Sequence, residues 1–338
     1  MKIKATIERI PGGMMIIPLF LGAALNTFAP GTAEFFGGFT GALITGTLPI
    51  LGVFIFCVGA TIDFRSSGYI ARKGITLLLG KIGFAALLGV IAAQFIPDEG
   101  IQSGFFAGLS VLAIVAVMNE TNGGLYLALM NHMGRKEDAG AFAFISTESG
   151  PFMTMVTFGV TGLAAFPWET LAATVIPFLL GCILGNLDHD LRDLFSKVVP
   201  AIIPFFAFSL GNTLNFGMLI QSGLLGILVG VSVVILSGGS LYLLDRFIAR
   251  GDGVAGVAAS STAGAAVAVP YALAEANSAF APVAESATAI IATSVIVTSL
   301  LTPLATVWAD KKINAKKRKT PPPNNQMPIN RVMKAADD

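Results

Sequence analysis

Apolar residues fill most of this chain in long runs, and short polar or charged segments separate them. A helix rises about 1.5 Å per residue, so about 20 apolar residues cross the roughly 30 Å of hydrocarbon in a bilayer. The runs therefore predict an all-α polytopic membrane protein with ten transmembrane spans. The predicted spans cover residues 13–29, 40–62, 74–96, 103–131, 139–164, 169–186, 198–216, 219–244, 253–275 and 280–308.

Polar residues and glycines interrupt two of these runs. Span four contains Met-Asn-Glu-Thr-Asn-Gly-Gly over residues 118–124, and span nine contains Ser-Ser-Thr-Ala-Gly over residues 260–264. Because lipid offers no partner for free backbone groups, such breaks persist only beside protein or a water-filled cavity. Interrupted helices in corresponding halves of a chain are typical of the binding site of a secondary transporter. The sequence predicts a small-solute site where the two breaks meet.

The distribution of charge predicts the orientation. Only 12% of the residues are charged, against about 25% in soluble domains. With both termini in the cytoplasm, 20 of the 21 Lys and Arg residues lie in cytoplasmic segments and none lies in an outer loop. The remaining one, Lys81, lies inside span three, where it either snorkels to the cytoplasmic face or pairs with a buried carboxylate. Residues 311–338 are basic and then rich in Pro and Asn, which predicts a disordered cytoplasmic tail.

A weak internal repeat relates the two halves. The segments 54–64 and 206–216 share five identities at a shift of 152 residues, and a shift of 141 pairs the two breaks. A shift of 137 pairs Glu148-Ser149 with Glu285-Ser286. The halves are then residues 1–165, with spans one to five, and residues 166–310, with spans six to ten. Five is odd, so the halves have opposite orientations in the membrane, which predicts inverted repeats with spans four and nine crossing.

The breaks supply candidate substrate-binding groups. Each half-helix that follows a break begins with free N–H groups and a positive dipole end, which suit an anionic group. Short polar side chains can bind hydroxyls, and glycines allow close approach. The candidates are Asn119, Thr121, Asn122, Gly123, Gly124, Ser260, Ser261, Thr262 and Gly264, with Asn212 on the opposite wall. The alternative is that these residues only hold helices together.

Three carboxylates are candidates for coupling transport to an ion. Glu148 and Glu120 lie near the predicted midplane, and Glu285 lies nearer the outer end of span ten. A buried carboxyl group can take up and release a proton near neutral pH, although it can also serve only to cap free N–H groups. The oxygen-rich breaks would hold Na⁺ as readily, so both H⁺ and Na⁺ remain open from the residues alone. No metal site or organic cofactor is predicted.

Two other classes fit the sequence less well than a transporter. A membrane-embedded enzyme would need a metal cluster, a Ser/His/Asp set or paired aspartates at membrane depth, and these are not evident in the spans. A channel would not require a break in each half. The sequence predicts a transporter, with no catalytic residues.

Three segments resemble the bacterial 2-keto-3-deoxygluconate permease family, within the bile-acid/arsenite/riboflavin transporter superfamily. They are residues 7–13 (Ile-Glu-Arg-Ile-Pro-Gly-Gly), 117–125 and 144–151, and the similarity extends to about Trp308. The resemblance implies alternating-access symport of H⁺ and the monoanionic sugar acid 2-keto-3-deoxy-D-gluconate across the bacterial inner membrane. It also implies a core of spans 3–5 and 8–10 that moves against a panel of spans 1, 2, 6 and 7. The expected partners are this substrate and the lipid bilayer, not nucleic acid; the oligomeric state stays open.

Overall fold

The computed structural model describes residues 2–7, 13–63, 68–133, 136–148, 150–214 and 216–318. These residues form helices and connecting segments, and no β-strand occurs among them. Parts of the opening motif, Ser149, Asn215 and the tail after Arg318 lie outside the described residues. The α-helices are α1 Ile3–Ile7, α2 Gly13–Phe28, α3 Thr32–Phe36, α4 Gly38–Thr45, α5 Thr47–Ala60, α6 Gly68–Ala92, α7 Val111–Asn119, α8 Gly123–Met133, α9 Lys136–Gly140, α10 Phe142–Ile145, α11 Pro151–Val160, α12 Trp168–Leu187, α13 His189–Gly211, α14 Phe216–Ser232, α15 Gly238–Phe247, α16 Val254–Ala258, α17 Val269–Ala276 and α18 Ala281–Arg318.

Six helical stretches within the described residues are long and apolar enough to cross a membrane. Helices α4 and α5, which are bent by 67° at their junction, would make a seventh. Many large apolar side chains on these helices point outward, as expected where the neighbours are lipid chains. The six stretches are Gly68–Ala92, Val111–Asn131, Trp168–Leu187, His189–Gly211, Gly223–Phe247 and Ser278–Ile313.

Helical structure stops at both of the polar interruptions. Helix α7 ends at Asn119 and α8 begins at Gly123, with extended backbone at Glu120 between them. Helix α16 ends at Ala258, and the chain resumes as a 3₁₀ helix over Gly264–Ala268 that leads into α17. We call the residues between these helix ends the first break (residues 120–122) and the second break (residues 259–263). A π-helical turn over Val233–Ser237 joins α14 to α15.

Helices from the two halves of the chain pack against each other in an interleaved order. Helix α5 packs on α12, α13 packs on α2, and α5 also contacts α13. Gly59 in α5 and Gly211 in α13, which the repeat matches, allow close approach. A Cβ atom at Gly59 would meet the backbone of Phe178, and one at Gly211 would meet the backbone of Leu19. The rings of Phe54 and Phe206, another matched pair, stack at 6.2 Å between centroids.

Two asparagines make equivalent bonds at the ends of these helix pairs. The Asn26 amide in α2 donates to the carbonyl of Leu214, just after α13, at 3.0 Å. The Asn186 amide in α12 donates to the carbonyl of Ile62, just after α5, at 2.8 Å. Ile62 and Leu214 lie 152 residues apart, the same shift that relates the two aromatic segments.

Lys73, which the sequence placed among the cytoplasmic loop residues, is instead buried within α6. Its ammonium lies 2.5 Å from the Asp138 carboxylate and 3.1 Å from that of Asp245, and none of the three side chains is more than 3% exposed. The Asp245 carboxylate also accepts the N–H of Gly253 at 3.0 Å. Four separate segments are therefore joined through one buried charge cluster, since these residues belong to α6, α9, α15 and the segment before α16.

Candidate functional site

The two breaks are hydrogen-bonded to each other. The Ala263 N–H donates to the carbonyl of Glu120 at 3.1 Å, and the Asn122 N–H donates to Ser261 Oγ at 3.1 Å. The Thr262 hydroxyl donates to the carbonyl of Val117, near the end of α7, at 2.9 Å. The short polar side chains thus satisfy backbone groups that the interrupted helices leave free. We call this arrangement the crossing.

The half-helices that follow the breaks begin differently. Helix α8 has a side-chain cap, because Asn122 Oδ1 accepts the N–H of Leu125 at 3.0 Å. The 3₁₀ helix that begins at Gly264 has no side-chain cap from Ala263. Free N–H groups at a helix start favour an anionic partner. The helix start after the second break therefore lacks the side-chain acceptor that Asn122 provides after the first.

A buried cluster of one ammonium and two carboxylates lies at the crossing. Lys81 of α6 is 1% exposed, and its Nζ donates to the carbonyls of Ala259 and Ser261 at 2.9 and 2.5 Å. Both the Glu148 and the Glu120 carboxylates interact with this ammonium electrostatically. Of the two alternatives for Lys81, snorkelling is therefore wrong, and the lysine is a polar member of the crossing.

The two carboxylates differ in their surroundings, although both are fully buried. Glu148 follows α10 in a 3₁₀ turn, and one of its oxygens accepts the backbone N–H of Thr121 in the first break. Glu120 interacts with the N–H of Gly150, but neither of its oxygens makes a direct hydrogen bond within the described residues. A hydrogen bond from an N–H stabilises an ionised carboxylate, whereas burial without one favours the neutral acid.

A cavity of about 430 Å³ reaches the crossing from one side. Its first wall is formed by the ends of the breaks, the half-helix starts and Ser299 of α18, and its second wall comes from α2, α5 and α13. An added Cβ atom at Gly264 would overlap Met15 Sδ, so the two walls touch at this glycine. The lining includes Thr121, Asn122, Gly123, Gly124, Ala263, Gly264 and Ser299 on the first wall and Met15, Phe54, Val58, Ile203 and Phe206 on the second.

The structure divides the predicted substrate-binding residues into two groups. Thr121, Asn122, Gly123, Gly124 and Gly264 line the cavity. The other four, Asn119 at the end of α7 and Ser260, Ser261 and Thr262 in the second break, are 0% exposed within the crossing. At least three of them bond other protein groups there.

The other two predicted positions lie away from the cavity lining. Asn212 caps the end of α13 and is not among the residues of the cavity wall. Glu285 is half-buried near the start of α18, beside Tyr271 rather than in the crossing. Glu148 and Glu285, which a shift of 137 residues pairs in the sequence, therefore have different environments. Glu148 is buried at the crossing, whereas Glu285 is half-buried beside Tyr271.

Several side chains that bond residues of the crossing have no recognisable signature in the sequence. Thr154 Oγ1 accepts the amide of Asn119 at 3.1 Å, and Thr298 Oγ1 accepts the N–H of Thr262 at 3.1 Å. Both threonines lie in apolar helices, where a single hydroxyl usually bonds its own backbone, so composition gave no signal for them. Lys81 did carry a signal, since an ionisable residue at membrane depth indicates function.

Apolar membrane-length helices, paired breaks and a buried charge cluster beside a cavity define the class: a multi-pass helical membrane transporter. Comparison with known proteins gives the family. The family model described as 2-keto-3-deoxygluconate permease matches residues 4–315. The chain belongs to the 2-keto-3-deoxygluconate permease family. This finding confirms the resemblance in the three motifs and confirms a transporter rather than an embedded enzyme.

Curated relatives carry the same description. The 2-keto-3-deoxygluconate permease of Bacillus subtilis (strain 168) is 96% identical over 330 residues, which cover 98% of this chain and 100% of the relative. That of Enterobacter sp. (strain 638) is 57% identical, with 92% and 94% of the two chains covered. That of Escherichia coli (strain K12 / DH10B) is 52% identical, with 94% and 98% covered.

Proposed function

We propose that this protein carries 2-keto-3-deoxygluconate into the bacterial cell as a proton symporter in the inner (plasma) membrane. The substrate follows from the names of the relatives. The observation that supports the mechanism is one cavity that meets two half-helix starts, with a buried ammonium and two carboxylates in the crossing behind them. Substrate and proton would thus bind within one small region, as coupling requires.

The substrate carboxylate would bind at the half-helix starts, and its hydroxyls would bind the polar side chains of the cavity. Gly123 and Gly264 line the cavity and begin the half-helices, whose first N–H groups would bind the anion. Thr121, Asn122 and Ser299 offer hydroxyl and amide groups on the same wall. The cavity volume of about 430 Å³ falls in the usual range for small-molecule sites, about 300–1,000 Å³.

The position of Lys81 favours H⁺ over Na⁺ as the coupling ion. A sodium ion at the crossing would be held by carbonyl and carboxylate oxygens. The Lys81 ammonium donates to two such carbonyls, those of Ala259 and Ser261, and interacts with both carboxylates. The protein thus supplies its own cation where a transported one would otherwise be needed.

Glu120 is the proton carrier in this proposal. If Lys81, Glu120 and Glu148 were all ionised, the crossing would carry one net negative charge at membrane depth, which is costly. One bound proton makes the cluster neutral. Glu148 is stabilised as a carboxylate by the Thr121 N–H, whereas Glu120 has no direct hydrogen bond among the described residues, so the proton resides on Glu120.

The proposed architecture has ten spans in two inverted repeats, residues 1–165 and 166–310, with both termini in the cytoplasm. Repeat-matched features support it: the two breaks, the stacked phenylalanines and the equivalent asparagine bonds. The core would consist of spans 3–5 and 8–10, and the panel of spans 1, 2, 6 and 7.

Alternating access would move the core against the panel. A second cavity, of about 570 Å³, lies beside α5, α11 and α12. Leu51 and Ile55 of α5 line this second cavity, whereas Phe54 and Val58, further along the same helix, line the first. The two cavities thus follow one another along the core–panel boundary, as an outer and an inner access route would.

Uptake of labelled 2-keto-3-deoxygluconate into proteoliposomes tests the proposal, with pH and sodium gradients imposed separately. With one proton per substrate, a gradient of one pH unit supports about tenfold accumulation, abolished by a protonophore and insensitive to sodium. Accumulation that requires sodium would instead support a sodium-coupled symporter of an organic anion. Uptake that neither gradient drives would contradict the proposed substrate. The Glu99→Gln variant, altered in an exposed loop, is the matched control for carboxylate variants.

A further inference from the structure

We propose that a groove between α15 and α18 binds the headgroup of one anionic phospholipid. The groove encloses about 870 Å³ and shares no lining residue with the cavity at the crossing. Its lining includes Ile235, Gly239, Arg246, Asp252, Trp308 and Lys312. This role is separate from transport and uses none of the proposed substrate or coupling residues.

The walls of the groove are suited to an acyl chain. They are mainly apolar, and Ile235 and Trp308 at their edges are each 64% exposed. Leu304, one turn before Trp308 on α18, is 66% exposed, so this face lies against lipid. Gly239 opens the groove, since a Cβ atom there would find no heavy atom within 4 Å.

The rim of the groove is cationic. Arg246 at the end of α15 and Lys312 on α18 are both exposed, and the Lys312 ammonium lies 4.6 Å from the centre of the Trp308 ring. The one acidic residue of the lining, Asp252, accepts the N–H of Val254 at 3.1 Å through Oδ1, and the lining keeps a net positive charge. Two cations above an apolar slot, beside an interfacial tryptophan, match a lipid phosphate with its chain below.

Charge complementarity decides between possible occupants. The basic tail of this chain would be repelled by the same two cations, since residues 316–319 read Lys-Lys-Arg-Lys. A zwitterionic lipid would gain less than an anionic one, because each basic residue near a membrane surface attracts an anionic headgroup by about 1 kcal/mol, or about fivefold in affinity.

Tryptophan fluorescence tests this proposal directly, because the chain has only two tryptophans. The Trp168→Phe variant leaves Trp308 in the groove, and Trp308→Phe leaves Trp168, at the start of α12 and 73% exposed, as the matched control. Both are reconstituted in phosphatidylcholine that contains a small fraction of lipid with brominated chains, either phosphatidylglycerol or phosphatidylcholine. We expect brominated phosphatidylglycerol to quench Trp308 with about fivefold higher apparent affinity, as one net positive charge gives, and Trp168 to show little preference.

Two sets of variants complete the test. In the Trp168→Phe background, the Arg246→Gln/Lys312→Gln pair should reduce the preference at Trp308 to that at Trp168. Gly239→Leu, which fills the groove, should do the same, whereas Gly83→Leu, with open space on α6, should not. The thermal stability of each variant establishes that it is folded. Equal quenching by both lipids, or a preference that survives loss of both cations, would overturn the proposal.

Discussion

Replacing Lys81 with methionine tests whether the crossing depends on an internal cation. The variant keeps a long unbranched side chain but removes the two N–H···O bonds to Ala259 and Ser261. It also leaves the buried Glu148 carboxylate without the ammonium that acts on it. Leaving a buried acceptor without its hydrogen bond costs about 1–3 kcal/mol, so we expect loss of the two bonds in Lys81→Met to lower the free energy of unfolding by about 2–6 kcal/mol.

A second substitution shows which carboxylate is charged. In the proposed state Glu148 is ionised and Glu120 is neutral, so Lys81→Met should be partly rescued by Glu148→Gln but not by Glu120→Gln. Glutamine keeps an oxygen that can accept the N–H of Thr121. We expect an interaction energy of about 1–3 kcal/mol between positions 81 and 148. We expect values within about 0.5 kcal/mol of additivity between positions 81 and 120.

Reversible unfolding in mixed micelles, with increasing sodium dodecyl sulfate, measures these free energies in all single and double variants. Lys197→Met, on an exposed lysine of α13, is the matched control and should lie within about 0.5 kcal/mol of the unsubstituted protein. Additive effects at positions 81 and 148 would refute the charged pair. Rescue by Glu120→Gln instead would indicate that Glu148, and not Glu120, carries the proton.

Three further outcomes follow from the site and its surroundings. Glu120→Gln should abolish the pH-driven accumulation, which is about tenfold for one pH unit in the unsubstituted protein, but should retain exchange of substrate by counterflow. Loss of both activities would argue that Glu120 has a structural role. Gly264→Val should reduce uptake because its Cβ atom overlaps Met15, and Met15→Ala in the same chain should restore part of the uptake. Gly223→Ala, in open space, is the control. Uptake unaffected by Gly264→Val would contradict contact between the two walls. Asp245→Asn should cost about 1–3 kcal/mol of stability, because it weakens contacts with the Lys73 ammonium and the Gly253 N–H, while Lys73 keeps Asp138. Exposed Asp193→Asn should cost little, and equal costs in a denaturation assay would argue against the buried cluster.

The positions of the two breaks were predictable because they depend on local sequence. A run such as Asn-Glu-Thr-Asn-Gly-Gly cannot bury all its polar groups as one lipid-facing helix, so it must interrupt the helix or meet a partner. The structure interrupts α7 at this point. The three motifs that indicated the family are local in the same sense.

The partners of the buried charges could not be predicted, because they depend on distant elements. Lys81 bonds carbonyls 178 and 180 residues away, and either outcome for this lysine was compatible with its depth in the span. Lys73 lies close to a helix end, which predicted a loop charge, but Asp138 and Asp245 from two other segments enclose it. The spacing of residues along one helix carries no information about contacts with residues of distant segments.

The interleaved packing of the two halves has a consequence for how the chain is made. The Thr262 hydroxyl bonds the carbonyl of Val117, 145 residues earlier. At a synthesis rate of about 5–20 residues per second, the first break therefore waits about 7–30 s for its partner to leave the ribosome. During that time its polar groups, including Glu120, must be sheltered by water, by lipid headgroups or by the insertion machinery. Biogenesis of this permease thus passes through a partly synthesised chain whose first break lacks its partners until the second half has been made.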